Sequence, residues 1–168
     1  MKTKLKLDTF LLFSIAFIFS FPVHAQKSSN SKLKEVDVYF WFIGTKGIED
    51  EILPLKRKVS ASVPLHPAIE EMLKEPTGAE RKLGYVSVGY GDLKLVSVKI
   101  KKGTARIDFS RTISESYNPG DLQTLKFESA VIKTAKQFSV VKKVIVCVNG
   151  MNEFGIGLVI DAPLPCPK

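Results

Sequence analysis

The hydrophobic period of this chain changes along its length, and that change limits the fold more than any other feature. Period-two or continuous apolar patterns predict strands over 36–43, 51–60, 93–110 (a hairpin turning at Lys102-Gly103) and 143–148. Helical spacing appears instead over 64–74 and from 122 to about 138. The order β-β-α-β-β-α-β predicts an α+β fold, a two-layer sandwich in which two helices pack on one face of a mixed β-sheet.

The segments around these elements carry further expectations. The glycine-rich stretch 78–91 is expected to be a long irregular connection, and Asp121 is expected to cap the second helix. The last strand is apolar on both sides, so its second face needs a cover. Either the apolar tail 154–164 folds back over that face or another subunit covers it, and we favour the tail, which predicts a monomer or weak oligomer.

Residues 1–25 have the pattern of a secretory signal peptide. Lysines at 2, 4 and 6 precede an apolar run over 10–21, and Val23-His24-Ala25 matches a small-residue cleavage site. The alternative is an uncleaved membrane anchor, but the run is shorter than the ~20 residues a spanning helix needs. We therefore predict cleavage after Ala25, export to the periplasm or the extracellular space, a flexible leader over 26–34, a domain over 35–150 and a tail over 151–168.

The charge balance indicates which partners are within reach. The chain has a net charge of +8, and removal of the signal peptide would take away three lysines and one aspartate, leaving +6. An exported protein does not meet chromosomal DNA, so nucleic acid is not an expected partner. Anionic lipid, cell-wall polymer and envelope proteins remain possible partners.

The two cysteines, Cys147 and Cys166, permit one intrachain disulfide in an oxidising compartment. Cys147 lies in the last strand and Cys166 in a proline-rich end, so a bridge would fasten the tail across that strand. The alternative is a buried free Cys147 with Cys166 unpaired or paired elsewhere.

The inventory of catalytic groups is poor. After signal cleavage the only histidine is His66, at a helix start, and no nucleophile motif accompanies it. One histidine and two late cysteines do not make a zinc site, so we expect no metal, no cofactor and no catalytic residue. An envelope hydrolase would have to use paired carboxylates, for which Asp108 with Glu115 or Asp121 are the candidates.

Basic residues recur on the predicted strands. They could gather into one basic face that binds an anionic wall or membrane component, or they could form a solvated face that protects a strand edge. The candidate positions are Lys56, Arg57, Lys58, Lys99, Lys101 and Arg106.

Short signatures in this order resemble the GerMN (sporulation and spore germination) domain family over about 36–150. The positions that carry the resemblance include Tyr39, Arg57, Pro76, Gly103, Asp108, Ser110 and Gly150. The resemblance implies an exported, non-catalytic binding or assembly module attached to envelope or spore-related machinery. It also implies similarity to the domains that build rings in secretion systems by sheet-to-sheet association, so an envelope protein is the expected partner.

Overall fold

The computed structural model describes residues 32–90, 92–111, 120–152 and 165–167, all within one compact unit that spans 31–168. It confirms the α+β class and contains two three-stranded sheets. The strands are β1 (Leu33–Phe42), β2 (Glu51–Ser60), β3 (Tyr85–Val86), β4 (Lys94–Lys101), β5 (Thr104–Ser110) and β6 (Lys143–Val148). The helices are α1 (Leu65–Leu73), α2 (Gly78–Lys82) and α3 (Gly120–Lys136).

The first sheet has the order β2-β1-β3, and all its pairs are antiparallel. β1 pairs with β2 along its whole length, whereas β3 reaches only the last two residues of β1. Side chains at the C-terminal end of α3 and of the residue that follows it satisfy the backbone of β1 before that point. The Gln137 amide oxygen accepts the Asp37 N–H at 2.9 Å, and the Thr134 hydroxyl accepts the Tyr39 N–H at 3.1 Å. The helix therefore takes the place of a neighbouring strand.

The second sheet has the order β4-β5-β6. The β4–β5 hairpin turns at Lys102 and Gly103, which both have positive φ, as a tight two-residue turn requires. β6 runs parallel to β5, so α3 forms the crossover between them. A β-bulge between Leu95 and Ser97 makes Val96 an extra residue in β4.

The core lies between the sheets and the helices α1 and α3. Inward-facing residues of β1 and β5, including Phe40, Ile107 and Phe109, are almost completely buried. Phe127 of α3 stacks edge-on against Phe109, with ring centroids 5.0 Å apart. Ile69 of α1 is fully buried in the same cluster.

Several local expectations differ from the structure. The stretch 78–91, expected to be irregular, contains α2 and β3, because Thr77 and Glu80 form a capping box that starts a helix among the glycines. α3 begins at Gly120, so Asp121 lies in its first turn instead of preceding it. Instead of one mixed sheet, the strands form an antiparallel sheet and a separate mixed one. In the described part of the chain no helix has the length and apolar character to span a bilayer.

The predicted signal peptide, Glu115 and the tail segment 154–164 lie outside the described residues.

Candidate functional site

Three of the predicted basic residues lie on β2, but they do not share a face. Lys56 projects to the outer face and forms an ion pair with Asp37, with 2.7 Å between Nζ and Oδ1. This contact raises the pKa of Lys56. Lys58 lies opposite Glu35 on β1 in the same register. On the outer face of the first sheet, each of these two lysines therefore lies beside an acidic residue.

Arg57 points to the opposite side of β2, toward the core. Its guanidinium donates two hydrogen bonds to Glu80 of α2, at 2.8 and 2.9 Å, and lies 5.2 Å from the centre of the Phe40 ring. Both charged side chains are only 17% exposed. The Arg57 guanidinium, together with the Thr77 N–H, lowers the pKa of Glu80 from 4.5 to about 2. Arg57 therefore joins α2 to β2 and does not lie on a basic face with Lys56 and Lys58.

The other three basic residues lie on the outer face of the second sheet. Arg106 Nε donates to Asp108 at 2.9 Å, and the Ser97 hydroxyl donates to the same carboxylate at 2.9 Å. Arg106 also donates to the Pro167 carbonyl oxygen of the tail. Lys99 and Lys101 are exposed, and no carboxylate of the described residues forms an ion pair with either of them. The predicted single basic face is therefore divided between two sheets and largely neutralised.

A disulfide joins Cys147 of β6 to Cys166, with the Cα atoms 6.0 Å apart. The Cys166 N–H donates to the Gly150 carbonyl oxygen at 2.8 Å, and Met151 forms a bridge with Pro165. The described end of the tail is thus fixed to the end of β6, and Cys147, on the second face of that strand, is fully buried.

Asp108 and the two cysteine sulfurs are close enough together to resemble a set of metal ligands. The sulfurs are bonded to each other and the carboxylate is occupied by Arg106 and Ser97. In the disulfide form this cluster therefore offers neither thiolate ligands nor a free carboxylate.

The paired-carboxylate hypothesis gains no support from the geometry. Asp108 is held in the contacts above, Glu115 is outside the described residues, and the Asp121 side chain is not described. His66 is 43% exposed at the start of α1, with Nδ1 3.7 Å from Glu70. Ser60 lines the same groove as His66, but its hydroxyl forms a hydrogen bond with the Ser62 hydroxyl at 3.0 Å, and no hydrogen bond joins it to His66 among the described residues.

The remaining family positions have structural contacts. Tyr39 lies under the Lys133 ammonium, 5.8 Å from its ring centre, and Pro76 is fully buried after α1. Ser110 pairs with Lys94 at the end of the hairpin. Gly103 and Gly150 have positive φ in turns, and their carbonyl oxygens accept backbone hydrogen bonds. These positions maintain the fold and do not converge on one site.

A candidate binding surface lies at the edge of β4 that faces away from β5. No described strand pairs with this edge. Beside it lies an apolar groove of about 480 Å³ between β4 and the loop that enters α1. Val63 and Ile100 on its rim are 65% and 44% exposed. The groove is lined by Ser60, Val63, Leu65, His66, Pro67, Val98 and Ile100.

The sequence did not identify this groove. Alternation in the sequence places Val96, Val98 and Ile100 on one face of the hairpin and Lys99 and Lys101 on the other. The register confirms this for residues 98–101, whereas Val96 is the extra residue of the bulge and is 60% exposed. The groove depends, in addition, on α1 beginning beside the end of β4, which is a tertiary arrangement without a local sequence signal.

Comparisons with known proteins agree with this architecture. The family model described as Germane, sporulation and spore germination, matches residues 37–153. The structure of the first GerMN domain of the sporulation protein GerM from Bacillus subtilis is similar, with 27% identity and a TM-score of 0.51, covering 77% of this chain and 97% of that one.

The structure of the tandem GerMN domains of the same protein matches with 22% identity and a TM-score of 0.54. That match covers 85% of this chain, which spans about half (49%) of the tandem structure. No curated protein matches the sequence.

Proposed function

Since the chain belongs to the Germane family of sporulation and spore germination domains, we propose that it is an exported, non-catalytic binding or assembly module of the bacterial cell envelope. Its task is protein–protein association through the β4 edge of the second sheet. The signal-peptide pattern of residues 1–25 supports export, with mature protein beginning at Gln26.

The observation that carries this proposal is the combination of an unpaired β4 edge with the apolar groove beside it. Exposed strand edges and apolar grooves are the surfaces by which a non-catalytic domain binds other chains. Asp108, one of the carboxylates that could have served catalysis, is instead held in an ion pair and a hydrogen bond that stabilise the fold.

Binding of an anionic polymer or lipid headgroup is the second candidate function. Lys99 and Lys101 favour it, because their charges have no acidic partner among the described residues. Three of the six candidate basic residues, however, are engaged with Asp37, Glu80 and Asp108. A charge-driven contact with a polymer would weaken steeply with added salt, whereas an apolar and backbone contact would not.

The test is site-specific photo-crosslinking in bacterial cells that produce the full chain. A crosslinker at Val63 in the groove should capture an envelope protein, and the same crosslinker at Pro54, in the middle of β2, should not. Intact-mass analysis of the exported protein should give a chain that starts at Gln26. A chain that stays in the cytoplasm with residues 1–25 attached, or equal crosslinking at both positions, would contradict the proposal.

A further inference from the structure

The free edge of β4 has a defined length and two different rows of side chains. The bulge at Leu95–Ser97 interrupts the regular register, so the part of β4 open to regular pairing is Ser97–Lys101. In that part Val98 and Ile100 face inward to the groove, whereas Lys99 and Lys101 face outward. A strand added to this edge would meet an apolar surface on one face and two ammonium groups on the other.

We propose that the free edge of β4 takes up an extended partner segment, in which apolar and acidic residues alternate, as an additional strand of the second sheet. The inference rests on the proposed function and names the chemistry of its partner. Backbone hydrogen bonds would hold the added strand, and the alternating side chains would set its register. The apolar row would cover Val98 and Ile100, and the acidic row would lie beside Lys99 and Lys101.

The positive charges beside the β4 edge favour pairing with a strand of another protein over pairing with a second copy of this chain. Two β4 edges side by side would bring Lys99 and Lys101 near their equivalents, and like charges on neighbouring strands are destabilising. Arg106, directly across from Lys99 on β5, adds positive charge to the same face, although Asp108 compensates it. The lysines therefore disfavour self-pairing and favour carboxylates.

The edge of β2 lacks these properties, which makes it a natural control. Pro54 stands in the middle of β2 and has no N–H to donate. Lys56 is already paired with Asp37, and Lys58 lies opposite Glu35. An acidic strand would gain little there.

The experiment measures binding of synthetic peptides of about eight residues, a common strand length, to the purified exported protein. The probe alternates glutamate and valine, and its controls are a lysine–valine peptide and a block-ordered peptide of the same composition as the probe. Two further versions of the probe carry N-methyl groups on alternate amides, one set on even and one on odd positions. Only one set points toward β4, because successive N–H groups of a strand point to opposite edges.

We expect saturable binding of the probe that is at least about tenfold tighter than that of the lysine–valine peptide. One N-methylated version should lose about tenfold or more, the loss expected from two backbone hydrogen bonds, while the other binds normally. The double variant Lys99→Glu, Lys101→Glu should prefer the lysine–valine peptide. The matched variant Lys56→Glu, Lys58→Glu should keep the original preference.

Equal binding of both N-methylated versions, or of the probe and the block-ordered peptide, would overturn the inference, because it would indicate attraction without strand pairing. Concentration-dependent dimers that the peptide does not dissociate would overturn it in favour of a second copy. If no peptide binds while Val63 still crosslinks an envelope protein in cells, the inference fails and the proposed function stands.

Discussion

The two sheets differ in how their edge strands are treated. In the first sheet, β2 has a proline in its middle, its outer lysines lie opposite acidic residues of β1, and Arg57 fastens it to α2 through Glu80. In the second sheet, β4 has no proline, and the two lysines at its end have no acidic partner among the described residues. The second sheet is secured at its other side, where the disulfide joins β6 to the tail.

This difference indicates that the edge strands of the two sheets have different roles. An edge that is blocked by proline and balanced in charge is protected from further pairing, as expected of a purely structural edge. An edge whose lysines have no acidic partner, and whose apolar row has no strand beside it, among the described residues keeps its capacity to pair. The β2 edge of the first sheet is therefore closed to further pairing, whereas the β4 edge of the second sheet is the one for which we propose a partner.

The largest effect is expected from the disulfide, which is the only covalent link in this comparison. Reduction of Cys147–Cys166 should lower the free energy of unfolding by about 3 kcal/mol, because the bridge closes a loop with a sequence separation of 19. Urea denaturation with and without reductant measures the loss. The double variant Cys147→Ala, Cys166→Ala is the control, since reductant should not change its stability. Two free thiols per chain in the unreduced, unfolded protein would contradict the pairing.

The second effect concerns the ion pair that joins β2 to α2. Glu80→Gln should lower the free energy of unfolding by about 2 kcal/mol at neutral pH, because the variant loses the charge that Arg57 neutralises. The folded-state pKa of Glu80, about 2, lies below the ordinary 4.5. The ionised carboxylate therefore contributes stability in full above about pH 4.5, and this contribution disappears as the pH falls toward 2.

Thermal unfolding of wild type and Glu80→Gln between pH 2 and pH 7 tests this dependence. The difference between their unfolding temperatures should shrink as the pH falls. Glu70→Gln serves as the control, because Glu70 is exposed and has only a distant contact with His66. A difference that stays constant across this range would show that packing, not charge, accounts for the loss.

Periodicity was enough to predict most elements of this fold. The residues of β2 and β6, and the turn of the β4–β5 hairpin at Lys102-Gly103, lie where alternation and turn chemistry placed them. The short α2 was missed because Gly78 obscures the capping box that begins at Thr77. The signal was present in the pattern Thr-x-x-Glu over 77–80.

The site was predicted less well, for a physical reason. A strand pattern gives the face on which Lys99 lies, but not whether a carboxylate from another element reaches it. Arg57 illustrates the problem, because its partner Glu80 is more than 20 positions away on α2. The sequence gives the position of each charged residue. Whether an oppositely charged residue lies beside it is decided only by the folded chain.

The smallest expected effect compares single charges at the two edges. Lys56→Glu would place a carboxylate beside Asp37, so the urea midpoint of unfolding should fall. Lys99→Glu would instead place a carboxylate across from Arg106, so the midpoint should stay the same or rise slightly. Both side chains are exposed, so both variants should fold.

Added salt is the control for this pair of variants. Screening should shrink the loss in Lys56→Glu, because it comes from repulsion between exposed charges within one Debye length. Binding of the glutamate–valine peptide should follow the opposite order, weaker for Lys99→Glu and unchanged for Lys56→Glu. The two measurements together would separate a residue that stabilises its own sheet from one that serves a partner. If Lys99→Glu lowered the midpoint as much as Lys56→Glu and left peptide binding intact, the two edges would be equivalent and the contrast drawn between the sheets would be wrong.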